Sequence, residues 1–115
     1  MCHVLIIEDE TLIALDIEDI LTREGATSFD VVDNEQDAVN AAAVHRPDVI
    51  TADVVLKAGL GPSAVKTITA QYGPIPTLYI TATPEVCRPH ETARVIRKPV
   101  NEIAVTRAYH ALWPA

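Results

Sequence analysis

"RPDVITADVV", residues 46–55, sets a carboxylate inside an apolar run. Val49 and Ile50 read as buried strand, and so do Val54 and Val55, with Asp53 between the two pairs. Burying an unpaired charge is costly, so Asp53 is expected at the exposed end of a strand, matched to a cation, or both. The flanking chain says what kind of strand this is. "HVLII" (3–7) is another short apolar run, and "TLIALDIEDILTRE" (11–24) repeats Ile13, Ile17, Ile20 and Leu21 at helical spacing, with Gly25 suited to stop it. "SFDVV" (28–32) reads as strand, and Asn34 suits the cap of a helix through Ala38, Ala41 and Ala42 that ends before Pro47. After "DVITAD" (48–53) and the loop "VVLKAGLG", Pro62 falls in the first turn of a helix. Val65, Ile68 and Tyr72 share one face of it, and Gly73 ends it. "PTLYIT" (76–81) and "ARVIR" (93–97) are two more strands, and "NEIAVTRAYHAL" (101–112) is a closing helix.

Strands that are apolar almost throughout are covered on both faces, and their alternation with helices implies right-handed crossovers. The expected fold is α/β: a doubly wound, five-stranded parallel sheet with helices on both faces. One stretch fits less well. "ATPEVCRPHET" (82–92) holds Pro84 and Pro89, which leaves room for about one turn of helix, so a shortened, irregular fourth crossover is expected.

The 115 residues suffice for one core, so residues 1–115 are expected to form a single domain. Apolar runs such as "VLII" (4–7) are far too short to span a membrane. "MCHVLIIEDE" carries no basic region ahead of a long apolar stretch, so a cytoplasmic location is expected. A net charge of −7 argues against a general nucleic-acid binder. Residues 1–53 hold 13 of the 16 acids and 2 of the 9 bases, which fits either solvated helix faces or a charged docking face. "CH" (2–3) and "CRPH" (87–90) invite a metal site. The layout puts them at opposite ends of the sheet, roughly 15 Å apart for a five-residue strand. Four ligands must converge on one ion, so free thiols and surface histidines are expected instead.

In an open parallel sheet, ligands bind outside the carboxyl ends of the strands, where the strand order reverses. The first strand delivers Glu8 and Asp9 to that end, the third Asp53, the fourth Thr81, and the fifth Lys98. Two carboxylates about 5 Å apart at an effective dielectric near 20 repel by roughly 3 kcal/mol. A hard divalent ion relieves this, and Mg2+ favours one or two carboxylates with waters and phosphate oxygens. Lys98 adds a point charge for a phosphoryl oxygen and Thr81 a short hydroxyl donor, which together describe a phosphoryl-acceptor site. Each residue also has a plainer role: Glu8, Asp9 and Glu10 suit a helix N-terminus, and Asp53 a loop start. Their joint arrival at one end of the sheet favours the site.

"VLIIEDE", "DVITAD", "ITA" and "RKP" resemble, in order, the four signatures of response-regulator receiver domains, the CheY-like superfamily. The resemblance implies strand order 2-1-3-4-5. It makes Asp53 the phosphoacceptor, Asp9 a direct Mg2+ ligand, Glu8 a ligand largely through water, and the Val55 carbonyl a further ligand. Thr81, Ala82 and Lys98 would bind the phosphoryl oxygens, and Lys98–Pro99 would be a cis peptide. The expected partners are a histidine kinase or histidine phosphotransfer protein and a downstream protein target, with no nucleic acid or membrane. In this family kinases dock mainly on the first helix and the loop after the fifth strand, which here points to Leu12, Leu15, Asp16, Val100 and Asn101. Leu12 and Leu15 would alternatively extend the core stripe.

The chain departs from the family pattern in places. Many members carry an aromatic three residues before the lysine, a ring that swings inward when the threonine moves; here it is Val95, which puts a Thr81–aromatic switch in doubt. Thr81 and Lys98 stand 17 positions apart, fewer than is common. "ITATPE" is similar to the receiver halves of bacterial general-stress-response regulators, and with nothing after "LWPA" a stand-alone receiver is expected. Three functions compete: a phospho-accepting signalling module, a phosphorylation-independent adaptor of receiver architecture, and a phosphatase with an aspartyl intermediate. The last needs an acid/base carboxylate near the nucleophile, and Val55 supplies none, so a turnover enzyme is not expected.

Overall fold

A computed structural model describes residues 1–86 and 93–113. The elements are β1 (His3–Ile7), α1 (Thr11–Arg23), β2 (Ser28–Val32), α2 (Glu35–Val44), β3 (Val49–Ala52), α3 (Gly61–Tyr72), β4 (Thr77–Thr81), β5 (Ala93–Arg97) and α4 (Glu102–Leu112). All neighbouring strands pair parallel in the order β2-β1-β3-β4-β5. The order reverses between β1 and β3, which opens the crevice there. The fourth crossover begins with a single 3-10 turn at Pro84–Val86. Cys87 and His90, weighed above as metal ligands, lie outside the described residues.

Side chains alternate along each strand, so each strand feeds two cores. Leu5, Ile7, Ile50 and Ala52 face Ala38 and Ala42 of α2 and Ala64, Val65 and Ile68 of α3. Val4, Ile6, Val49, Leu78 and Ile80 face Ala14, Ile17, Ile20 and Leu21 of α1 and Val105 and Tyr109 of α4. Full burial of one Ile or Leu is worth about 1.5–3 kcal/mol, so these layers hold the strand ends in place. The Asn34 cap expected from sequence forms, its Oδ1 accepting from Asp37 N (2.8 Å), and α4 is capped in the same way by Asn101 Oδ1, which accepts from Ala104 N (3.0 Å).

Val55 departs from its reading as buried strand. It follows β3 in the loop, exposed, while Val54 is buried. His3 is not the surface histidine expected: it is 5% exposed. Its Nδ1 lies 2.7 Å from Ser28 Oγ, its Nε2 lies 3.0 Å from Asp30 Oδ2, and its ring stacks on His45 at 3.5 Å and 8°. Parallel rings aim their lone pairs side by side rather than at one point, so this cluster is a polar seam joining β1, β2 and the end of α2.

Candidate functional site

Asp53 follows β3 directly, and its backbone N–H extends the ladder by donating to Ile7 O at 2.9 Å. Asp53 is only 8% exposed, which corrects the expectation of an exposed strand end. It is matched to a cation instead. Lys98 Nζ donates to Asp53 Oδ2 at 2.8 Å, and Val54 N donates to Asp53 Oδ1 at 2.7 Å. Lys98 arrives there because β5 pairs with β4 through Thr81, and Lys98 N then donates to Thr81 O at 2.8 Å. The Lys98–Pro99 peptide is cis.

The same ammonium reaches Glu8 Oε2 at 3.3 Å and Glu10 Oε1 at 3.2 Å. Glu10 is the N-cap residue of α1; its side chain makes no cap bond and turns to Lys98. Burial by itself would lower the Lys98 pKa, but the bonds to Asp53 and Glu8 outweigh it and hold the ammonium above its ordinary value. Glu8, 3% exposed, has its pKa raised, chiefly by burial. The Glu10 N–H and Lys98 oppose that rise only in part.

Glu8, Asp9, Glu10 and Asp53 each offer an oxygen, all within 4.8 Å of one another. Glu8 Oε1 is buried and, although 3.1 Å from Lys98 Nζ, has no aligned hydrogen bond. An all-oxygen donor set with excess negative charge and an orphaned carboxylate oxygen suits a hard divalent ion, Mg2+ above softer metals. Glu10 joins the cluster although sequence suggested only a helix-terminus role for it; the third acid of "EDE" was its signal.

Two glycines behind Asp53 also escaped sequence reading. Gly61 N–H donates to Val54 O at 2.9 Å, and a Cβ on Gly61 would lie 1.8 Å from Asp53 O. Gly59 has φ +92°, a left-handed conformation that favours glycine. A glycine at the very start of a helix, ahead of Pro62, was the only hint. Val55 pairs across the loop with Leu60 in an isolated antiparallel bridge.

Thr81 is 1% exposed at the end of β4. Its Oγ1 accepts from Thr83 N at 3.2 Å and lies 3.3 Å from Thr83 Oγ1, so the hydroxyl is turned toward its own loop. Ala82 is exposed, and its carbonyl accepts from Arg97 Nη1 at 3.3 Å. Val95 is half-buried and packs into the core layer that holds Tyr79. Leu12 and Leu15 are 78% and 54% exposed and do not extend the core stripe. Leu15 lines a groove of about 420 Å³ that also touches Glu8 and Asp9. Asp16 and Val100 meet in a second cleft of about 210 Å³, beside the Arg23–Glu102 ion pair. Asn101 is spent on capping α4.

Residues 4–109 match the response regulator receiver domain family. The chain belongs to that family. Among solved structures the receiver resembles the receiver domain of Erythrobacter litoralis PhyR, at 32% identity and TM-score 0.87, over 96% of this chain and 88% of that one. The anti-anti-sigma factor PhyR of Bartonella quintana gives 32% identity and TM-score 0.77, over 98% of this chain and 48% of that one. The phyllosphere-induced regulator PhyR of Methylorubrum extorquens is 38% identical over 85 residues, 72% of this chain and 32% of that protein. The receiver spans between 19% and 32% of the length of the curated relatives it matches. Receiver domains are regulatory modules that bind Mg2+ in an acidic pocket and work with kinases or phosphotransfer proteins. Among the described residues, no helix is long and apolar enough to cross a membrane.

Proposed function

We propose that this receiver accepts a phosphoryl group on Asp53 from a histidine kinase or histidine phosphotransfer protein, in a cytoplasmic two-component relay, and passes the signal to a protein partner. The supporting observation is the contact set of Lys98, which brings β5 onto the carboxylates of both β1 and β3. An Asp53 oxygen attacks phosphorus; the O–P bond forms as the donor's P–N bond breaks, and the imidazole nitrogen keeps the electron pair. Glu8, Asp9, Glu10, Asp53 and the Val55 carbonyl are the groups that would hold Mg2+, which when bound offsets charge on the transferring group. Lys98 already sits on Asp53 and stays with the phosphoryl oxygens as they arrive. Rotation of the Thr81 hydroxyl away from Thr83 supplies a further donor.

Similarity to PhyR proteins, one named an anti-anti-sigma factor and another a stress response regulator, supports a protein target in a stress response. The output would run through Thr81 and the β4–β5 crossover rather than through a swinging ring, because Val95 offers none. Val95 and that short crossover also favour a second reading, an adaptor whose binding ignores phosphate. Intact mass after incubation with acetyl phosphate separates the two. A single phosphate adduct on wild type, absent from Asp53→Asn and absent with chelator, is expected. An unmodified wild type that also binds no Mg2+ would favour the adaptor.

A further inference from the structure

The helix that follows the acceptor loop starts without a cap of its own. Leu60 is the N-cap residue of α3 and has no side chain that accepts, and Pro62 brings no N–H. The missing acceptor comes from another helix. Glu35, the first residue of α2, accepts from Leu60 N at 3.0 Å through Oε1 and from Ser63 Oγ at 2.8 Å through Oε2. Its own N–H donates to Ala58 O at 3.0 Å. A carboxylate at the start of a helix is also favoured by the helix dipole. Gly59 is fitted to the same residue: a Cβ there would lie 2.5 Å from Glu35 Cβ.

From this clamp the contacts run straight to Asp53. Leu60 bridges to Val55, Leu56 N donates to Gly59 O at 3.3 Å, and Gly61 N donates to Val54 O at 2.9 Å. We propose that Glu35 is a positioning residue for the acceptor site, setting the shape of the 54–60 loop and through it the Mg2+ affinity and the rate of phosphate uptake. This rests on the reading of Asp53 given above. Glu35 touches neither the metal nor the phosphate; it acts through Leu60, Val55 and Gly61.

The test uses the full chain as wild type, Glu35→Ala and Glu35→Gln. Mg2+ binding is read by calorimetry, phosphate uptake from acetyl phosphate by intact mass, and stability by urea unfolding. Glu35→Ala is expected to weaken Mg2+ binding and slow uptake by roughly 3- to 10-fold, at or below the low end of outer-shell effects on metal sites. Glu35→Gln, which keeps an amide oxygen as acceptor, is expected to recover most of that loss. Ile17→Val, far from the loop, lowers stability as a control and is expected to leave Mg2+ binding unchanged. Wild-type Mg2+ binding and uptake in Glu35→Ala, even with lower stability, would overturn the proposal and leave the acceptor reading standing. A wild type that neither binds Mg2+ nor takes phosphate would overturn both. Should Glu35→Ala fail to fold, Ser63→Ala removes one partner of the clamp: a smaller loss in the same direction supports the proposal, and no loss overturns it.

Discussion

At the scale of single residues, the site balances four carboxylates against one ammonium, and Lys98 and Glu8 are both held above their ordinary values. Lys98 is held above its ordinary value of 10.5, so its contribution to stability is complete below that pH and is lost as pH rises through the folded value. Glu8 is held above its ordinary 4.5, so the fold favours the neutral acid, and stability falls as pH rises from 4.5 through the folded value. Glu8→Gln is therefore expected to be more stable than wild type at pH 7 in chelator. Urea unfolding at several pH values would show the gap closing below 4.5; a gap of the opposite sign would mean that Lys98 outweighs burial. Gly61→Ala is expected to lose stability and phosphate uptake together, because the new Cβ cannot stand 1.8 Å from Asp53 O without moving that backbone. The residues legible in the sequence were those whose chemistry is unusual for their place: Asp53, Lys98, Glu8 and Asp9. The degree of burial of Asp53 was not legible. It depends on Lys98, 45 positions away, and on pairing with the Ile7 backbone, and no local pattern encodes either.

At the scale of elements, helical spacing and caps carried most of the information. The stripe Ile13, Ile17, Ile20 and Leu21 reads as one buried face, and Ile17 and Leu21 are fully buried. Ile17→Ala is expected to cost about 2–5 kcal/mol, read as a lower urea midpoint with an unchanged slope. Leu12 and Leu15 stayed open to both roles in the sequence because they lie to one side of the stripe. Only the tilt of α1 on the sheet decides which side faces water, and it exposes them. The 54–60 loop was legible as a loop and nothing more. Its shape comes from Glu35, a residue 25 positions before Leu60, and such a tether leaves no periodic trace. His3 was misread for a similar reason. A histidine at a strand's edge looks exposed until Ser28, Asp30 and His45 close over it.

At the scale of the molecule, strand–helix alternation sufficed for a doubly wound parallel sheet, because right-handed crossovers leave few alternatives, and its strand order came from the family resemblance. The reversal of strand order between β1 and β3 then gathers side chains 90 positions apart, Glu8 and Lys98, at one point. The acidic first half of the chain supplies the carboxylates of that point and lines the adjoining groove through Glu8, Asp9, Glu18, Asp33 and Asp37. This favours a basic rim on whatever partner approaches from that side. The central claim is that Asp53 is the phosphoryl acceptor, and an acyl phosphate has a chemistry of its own. Borohydride reduces it to an alcohol, so a phosphorylated aspartate becomes homoserine while a free carboxylate is untouched. Wild type treated with acetyl phosphate and Mg2+, reduced, and mapped by peptide mass should carry homoserine at position 53 alone, and at no position without Mg2+. Homoserine at Asp9 or elsewhere, or a phosphate adduct that survives reduction, would contradict it.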